Sequence, residues 1–246
     1  MGLLLERLAM RRLSFACGFV LLACLGAGNT SAKVQKFCAG CKFTAAKLPG
    51  SDFTRATYIG VDFEGADLSG SSFRQARLLA INFQNADLRN AAFDGAQCMA
   101  CNFLGAKLDG ATFTGTLMTA ANFKSFAASM PDEQLRQLLS GCVACNFTGS
   151  NLAGRDLSGI PLLSVDFSQA DLSGVRFDGA VLCWNVTLGD KRQATCDKMG
   201  GAQTSATNFA NVLLCDDPMD RSTCVPVDAD MLRQDTGSPL TGAALP

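Results

Sequence analysis

The sequence predicts an all-β solenoid, a chain wound into stacked coils, and three observations predict it. From Phe43 onward a large apolar residue recurs at every fifth position: Phe43, Leu48, Phe53, Tyr58, Phe63, Leu68 and so on to Phe123. A small residue, usually Ala, sits two positions before each centre (Ala46, Ala56, Ala66, Ala76, Ala86), and Gly is frequent two positions after (Gly50, Gly60, Gly65, Gly70, Gly95). The centres also alternate Phe with non-Phe, which adds a second period of ten. A period of five fits neither a helix nor a flat strand, and self-similarity at a fixed period signals a stack of equivalent units.

Each element follows from residue size. A short face that turns one large and one small side chain inward must bend before the next face begins, and Gly bends at least cost. In a square coil the period of ten places Phe on two opposite faces. The expected ring columns are 43, 63, 83, 103, 123 and 53, 73, 93, 113, because stacked aromatics in a narrow dry core gain beyond burial alone. Stretches such as Ala66-Asp67-Leu68-Ser69-Gly70 and Ala86-Asp87-Leu88-Arg89-Asn90 resemble the A(D/N)LXX unit of the pentapeptide-repeat family. The resemblance covers about residues 38–123 and 142–183. It implies a right-handed quadrilateral β-helix with four units per coil, so that residues twenty apart stack at the β spacing of ~4.8 Å. About six coils are expected on this reading.

The repeat breaks after Phe123. Ser129 reads as a helix N-cap, followed by Pro131 and the acidic first-turn residues Asp132 and Glu133. Leu135, Leu138 and Leu139 share one face and Gly141 reads as the stop, so a short amphipathic helix is expected at about 131–140, inside an insertion spanning 124–141. The repeat restarts four residues out of frame at Phe147, Leu152, Leu157, Leu162, Phe167, Leu172, Phe177 and Leu182. The expected organisation is a signal peptide at 1–32, the interrupted solenoid at 33–183, a disulfide-rich C-terminal coil and cap at 184–224, and a flexible tail at 225–246. Thr207-Asn208-Phe209 and Val212-Leu213-Leu214-Cys215 echo the earlier units and suggest a last coil.

The N-terminus reads as an export signal. Arg11 and Arg12 precede an apolar run from Leu13 to Cys24 that is too short to span a bilayer comfortably, and Thr30-Ser31-Ala32 is an acceptable cleavage site. Leu21-Leu22-Ala23-Cys24 also resembles a lipobox, which would acylate Cys24 and tether the protein to a membrane; an uncleaved anchor is the third reading. Removing the signal leaves Cys38, Cys41, Cys98, Cys101, Cys142, Cys145, Cys183, Cys196, Cys215 and Cys224, an even number suited to an oxidising compartment. The expected location is the periplasm or cell envelope.

Composition excludes several functions. Charged residues make up 17% and the net charge is -1, without the concentrated basic face that nucleic acid requires. There is no histidine, which removes the Ser-His-Asp and Cys-His nucleophile arrangements and all His metal ligands. Asp67 and Asp87 are neighbours on a wall with no cleft, a poor setting for paired catalytic carboxylates. Their face carries Lys47, Asp67, Asp87 and Lys107 in order, a mixed ladder in which each Asp has a Lys above or below, unlike the long acidic columns of DNA-mimicking relatives. No catalytic, metal or cofactor site is expected.

Three CxxC motifs remain: Cys38/Cys41, Cys98/Cys101 and Cys142/Cys145. In each, the first Cys is a centre and the second is the small inward residue of the next face, so all three bridge the same corner. A local structural disulfide is favoured over free core thiols and over a redox or metal site. Pairs three coils apart cannot share one ion, and a reactive CxxC normally sits at a helix N-terminus. In the tail, Cys183–Cys196 and Cys215–Cys224 are the sequence-local pairing, with other connectivities open.

The fourth face differs from the others. Its centres are Tyr58, Leu78, Cys98 and Met118, and its outward corner positions run Ala39, Ile59, Leu79, Met99, Thr119, Val143, Leu163, Cys183. With Leu117, Pro161 and Val181 beside them, one long edge is apolar where three are polar. Such a stripe marks a contact surface, filled either by the 131–140 helix or the C-terminal segment of the same chain, or by another protein or a second copy. Ile59, Leu79, Met99, Leu117 and Leu163 are the candidate contact residues. The expected function is a non-enzymatic binding module acting through a rigid wall, with a thiol–disulfide redox protein as the alternative.

Overall fold

The computed structural model describes residues 35–126, 130–188, 191–236 and 240–245. The expected signal peptide with Cys24, and Ser129, lie outside the described residues.

Residues twenty apart pair in parallel on all four faces of the first block. Lys42 pairs with Asp62, Lys47 with Asp67 and Asp52 with Ser72 on the first three faces. The fourth face forms true strands: β1 (Phe37–Ala39), β2 (Thr57–Ile59), β3 (Arg77–Leu79), β4 (Gln97–Met99), β5 (Leu117–Thr119) and β6 (Cys142–Val143). They make one parallel six-stranded sheet in sequence order. The turns come from one residue in five held in the left-handed region, such as Gly65 (φ 62°) and, without a glycine, Ala80 (φ 53°).

The core is the herringbone that the period of ten implies. Phe43, Phe63, Phe83, Phe103 and Phe123 stack with ring centroids 5.0, 5.5, 5.1 and 4.8 Å apart. Phe53, Phe73, Phe93 and Phe113 stack at 4.6, 5.0 and 5.4 Å. The two columns meet edge to face, as at Phe73–Phe83, 5.5 Å and 83°. Each Phe from Phe53 to Phe103 therefore gains both favoured aromatic geometries. On the wall outside the first column, the Asn82 amide donates to Asp62, Asn102 to Asn82 and Asn122 to Asn102. Each of those side-chain oxygens also accepts the backbone N–H two residues on. One Asn thus satisfies a turn and a rung at once.

The expected helix is present and packs into the wall. Pairing persists through Asn122–Asn146, and the Phe126 carbonyl accepts from the Asn151 N–H. Helix α1 (Asp132–Ser140) then replaces one stretch of the third face, with Leu135, Leu138 and Leu139 buried in the common core. The Asp132 carboxylate accepts from the Arg155 guanidinium and the Asp156 N–H, which gives the next coil a partner where the strand rung is missing. Pro131 occupies the N-cap position expected of Ser129. Because the helix ends flush with the wall, Met118 N–H bonds to the Gly141 carbonyl and Met118 pairs with Cys142, which restores the register four residues late.

The second block ends in a cap. β7 (Val181–Leu188) starts as a rung of the fourth face and continues into an antiparallel hairpin with β8 (Lys191–Cys196). The last coil is present: Phe209 stacks on Phe177 at 5.3 Å and β9 (Leu213–Cys215) pairs with β7. A 3-10 turn (Arg221–Thr223), β10 (Cys224–Pro226) and helix α2 (Ala229–Thr236) follow. The segment expected to be a loose tail is built in instead. Leu232, Thr236 and Leu240 are buried, Met199 N–H bonds to the Thr236 carbonyl, and Ala244 pairs with Asn208. The end of a solenoid exposes its last ring, and these residues close it.

Candidate functional site

The fourth face is built from two outward columns on one flat sheet. Phe37, Thr57, Arg77, Gln97 and Leu117 lie in register in one column, and Ala39, Ile59, Leu79, Met99 and Thr119 in the other. The inward residues between them, Cys38, Tyr58, Leu78, Cys98 and Met118, are all buried. The Tyr58 hydroxyl donates to the Gln35 carbonyl, and burial raises the phenol well above its usual range.

Large apolar side chains stand in water here: Phe37 (57% exposed), Ile59 (41%), Leu79 (40%), Met99 (55%) and Leu117 (55%). Arg77 is the one charged side chain in these two columns. Helix α1 does not cover the stripe, because it faces the core. The C-terminal segment covers only its lower end. Arg221 donates to the carbonyls of Gly159 and Gly179, which anchors the 216–224 loop at this corner, and the outward Val181 and Cys183 are fully buried. Leu163, below β6, is half-buried beside that end. Ile59, Leu79, Met99 and Leu117 thus form one exposed cluster, with Leu163 at its margin. Phe37, before the first repeat centre, extends the cluster by one rung and could have been found from its spacing of twenty to Thr57.

All ten cysteines among the described residues form disulfides: Cys38–Cys41, Cys98–Cys101, Cys142–Cys145, Cys183–Cys196 and Cys215–Cys224. The three corner bridges share the fourth-to-first corner. Cys98, Cys101, Cys142 and Cys145 are buried, closed to an attacking thiol, whereas Cys41 is half-buried. Cys142 follows the C-terminus of α1, where the helix dipole opposes a thiolate. This placement suits a staple and not an exchange centre. Among the described residues no group of His, Cys, Asp and Glu could hold a metal ion.

The charged wall keeps the expected mixed ladder, with Lys47 beside Asp67 and Lys107 beside Asp87. Asp67 and Asp87 are adjacent rungs. Asp87 is held by Arg89, two residues along, and chiefly that contact keeps its carboxyl below the usual range; Asp67 accepts from Ser69. One residue gave no sequence signal. Asp197 occupies an inward position of the first-face column, fully buried, with one oxygen accepting from the Val165 N–H and the other without a partner. Desolvation drives its carboxyl well above the usual range.

Comparison with known proteins agrees with this geometry. The model of a pentapeptide repeat region matches residues 38–113, and that of pentapeptide repeats (8 copies) matches residues 145–182. No curated protein matches the chain in sequence. Solved structures that it resembles include a pentapeptide repeat protein of the Arabidopsis thaliana thylakoid lumen, at 31% identity over 44% of this chain and 78% of that one, TM-score 0.34. A second is QnrB1, a plasmid-mediated fluoroquinolone resistance protein, at 20% identity over 68% and 83%, TM-score 0.42. A third is HetL, involved in heterocyst differentiation regulation in the cyanobacterium Nostoc, at 18% identity over 85% and 84%, TM-score 0.25.

Proposed function

We propose that this chain, a member of the pentapeptide-repeat family, is a non-enzymatic binding module of the periplasm or cell envelope that engages a protein through the fourth face of its solenoid. The observation that carries this reading is the cluster of exposed apolar side chains at Phe37, Ile59, Leu79, Met99 and Leu117 across the two outward columns of one face. At roughly half exposure each, such side chains present on the order of 400 Å² of apolar surface, within the size range of the largest patches on monomers, which are often functional. The flat sheet beneath them is rigid, because both its inner face and its rungs are fixed by the core. Such a face adds little ordering cost on binding.

Export is supported by the signal-like N-terminus and by ten cysteines that pair within the chain, the usage of an oxidising compartment. The test is a pull-down from an envelope fraction with wild type and with Leu79→Asp or Met99→Asp. These side chains are exposed, so circular dichroism and melting are expected to stay unchanged while the captured protein is lost. Retention of the same partner by both variants would sink the assignment of this face.

A further inference from the structure

We propose that the occupant of the fourth face is a second copy of this chain, packed sheet on sheet about a two-fold axis. The inference rests on the binding-face reading above and names its partner.

The shape of the face selects among binding modes. Strands β2 to β5 are paired on both sides, so none of them offers an edge to an added strand. A flat sheet face packs on another flat sheet, ~10 Å away, with side chains interleaved. Its rungs repeat at ~4.8 Å, and a partner interleaves along the whole length only if its own side chains repeat at that spacing. A second copy meets this condition at every rung.

Charge then selects the register. A two-fold axis along the strands on β3 would bring Arg77 against the partner's Arg77. Moving the axis to lie between β3 and β4 sets β3 over β4 and β2 over β5. In that register Leu79 meets the partner's Met99, Thr57 meets the partner's Leu117, and Arg77 meets the partner's Gln97, an acceptor for its guanidinium. Across both columns each copy would bury on the order of 600 Å², about 1,200 Å² in all, the lower end of specific interfaces. The C-terminal cap closes the face below β6, so the contact is self-complementary and stops at two copies.

The experiment is light scattering and sedimentation of the purified, disulfide-intact chain between about 1 and 100 μM. The expected result is a dimer that Met99→Asp converts to monomer. Gln97→Arg, an exposed polar exchange that sets like charges face to face, weakens the dimer at least tenfold with unchanged circular dichroism. A dimer indifferent to both changes overturns the assignment of this face as the dimer contact. A monomer throughout the range overturns self-association. The broader reading then survives if Met99→Asp still abolishes capture of an envelope protein, and falls with it if capture is unaffected.

Discussion

Gly141 is fixed by a neighbour and not by its own torsions. Its backbone is ordinary (φ -93°), but a Cβ there would stand 2.0 Å from the Thr116 carbonyl oxygen. Backbone lies on both sides of the contact, so nothing can swing away. Gly141→Ala is expected to destabilise by about 3 kcal/mol in urea unfolding. Gly60 is the opposite case: it is left-handed with open space around it, and the same corner carries Ala80, Ala100 and Ala120 in later coils. Gly60→Ala should cost only about 1 kcal/mol. Equal losses would show that the α1 junction is looser than this packing. Asp197 gives the pH dependence. Its folded carboxyl titrates above its unfolded value, so between the two the folded state binds the extra proton. Stability from this group is therefore greatest in acid and falls as pH rises above the ordinary carboxylate range. Asp197→Asn keeps the acceptor for Val165 N–H and removes the charge. It should match wild type near pH 3 and exceed it by on the order of 1 kcal/mol or more at pH 8, read as thermal midpoints. A variant no more stable at pH 8 would mean that water reaches the site.

At the scale of elements, the five disulfides divide by depth. A thiol attacks only a sulfur it can reach, so among the three corner bridges graded reduction should open Cys38–Cys41, through half-buried Cys41, before the buried Cys98–Cys101 and Cys142–Cys145. Alkylation followed by peptide mass spectrometry reads the order; simultaneous opening of all three corners would indicate that the wall unfolds before its bridges yield. Replacing Cys98 and Cys101 by Ala should cost about 2 kcal/mol and replacing Cys183 and Cys196 about 3 kcal/mol, following loop length. The corner bridges were legible because period and spacing put both cysteines inward on adjoining faces. The part played by α1 was not. A frame shift of four reads as a departure from the wall, and only the buried Leu135, Leu138 and Leu139 show that the helix substitutes for a face. α2 was missed for a related reason: it closes the core with Leu232 and the last turn with Thr236, too few apolar residues to make a periodic signal.

Over the whole molecule, the five-residue frame made the faces, the ring columns and the apolar edge readable before any coordinates. Ile59, Leu79, Met99 and Leu117 follow from that frame alone. Which part of the edge stays open does not, because it depends on Arg221 reaching the carbonyls of Gly159 and Gly179 from forty and more residues away. Asp197 was equally silent, since an acidic residue near a weakening repeat looks like surface. The local span of every covalent bridge has a mechanical meaning. Sequence separations of 3, 3, 3, 13 and 9 leave each coil held on the next by non-covalent contacts, with no covalent cross-link beyond the chain itself. Under tension the chain should therefore pay out like thread from a spool, one turn at a time. Each turn would release about 70 Å of contour length, with the bridges intact and travelling along the thread as small knots.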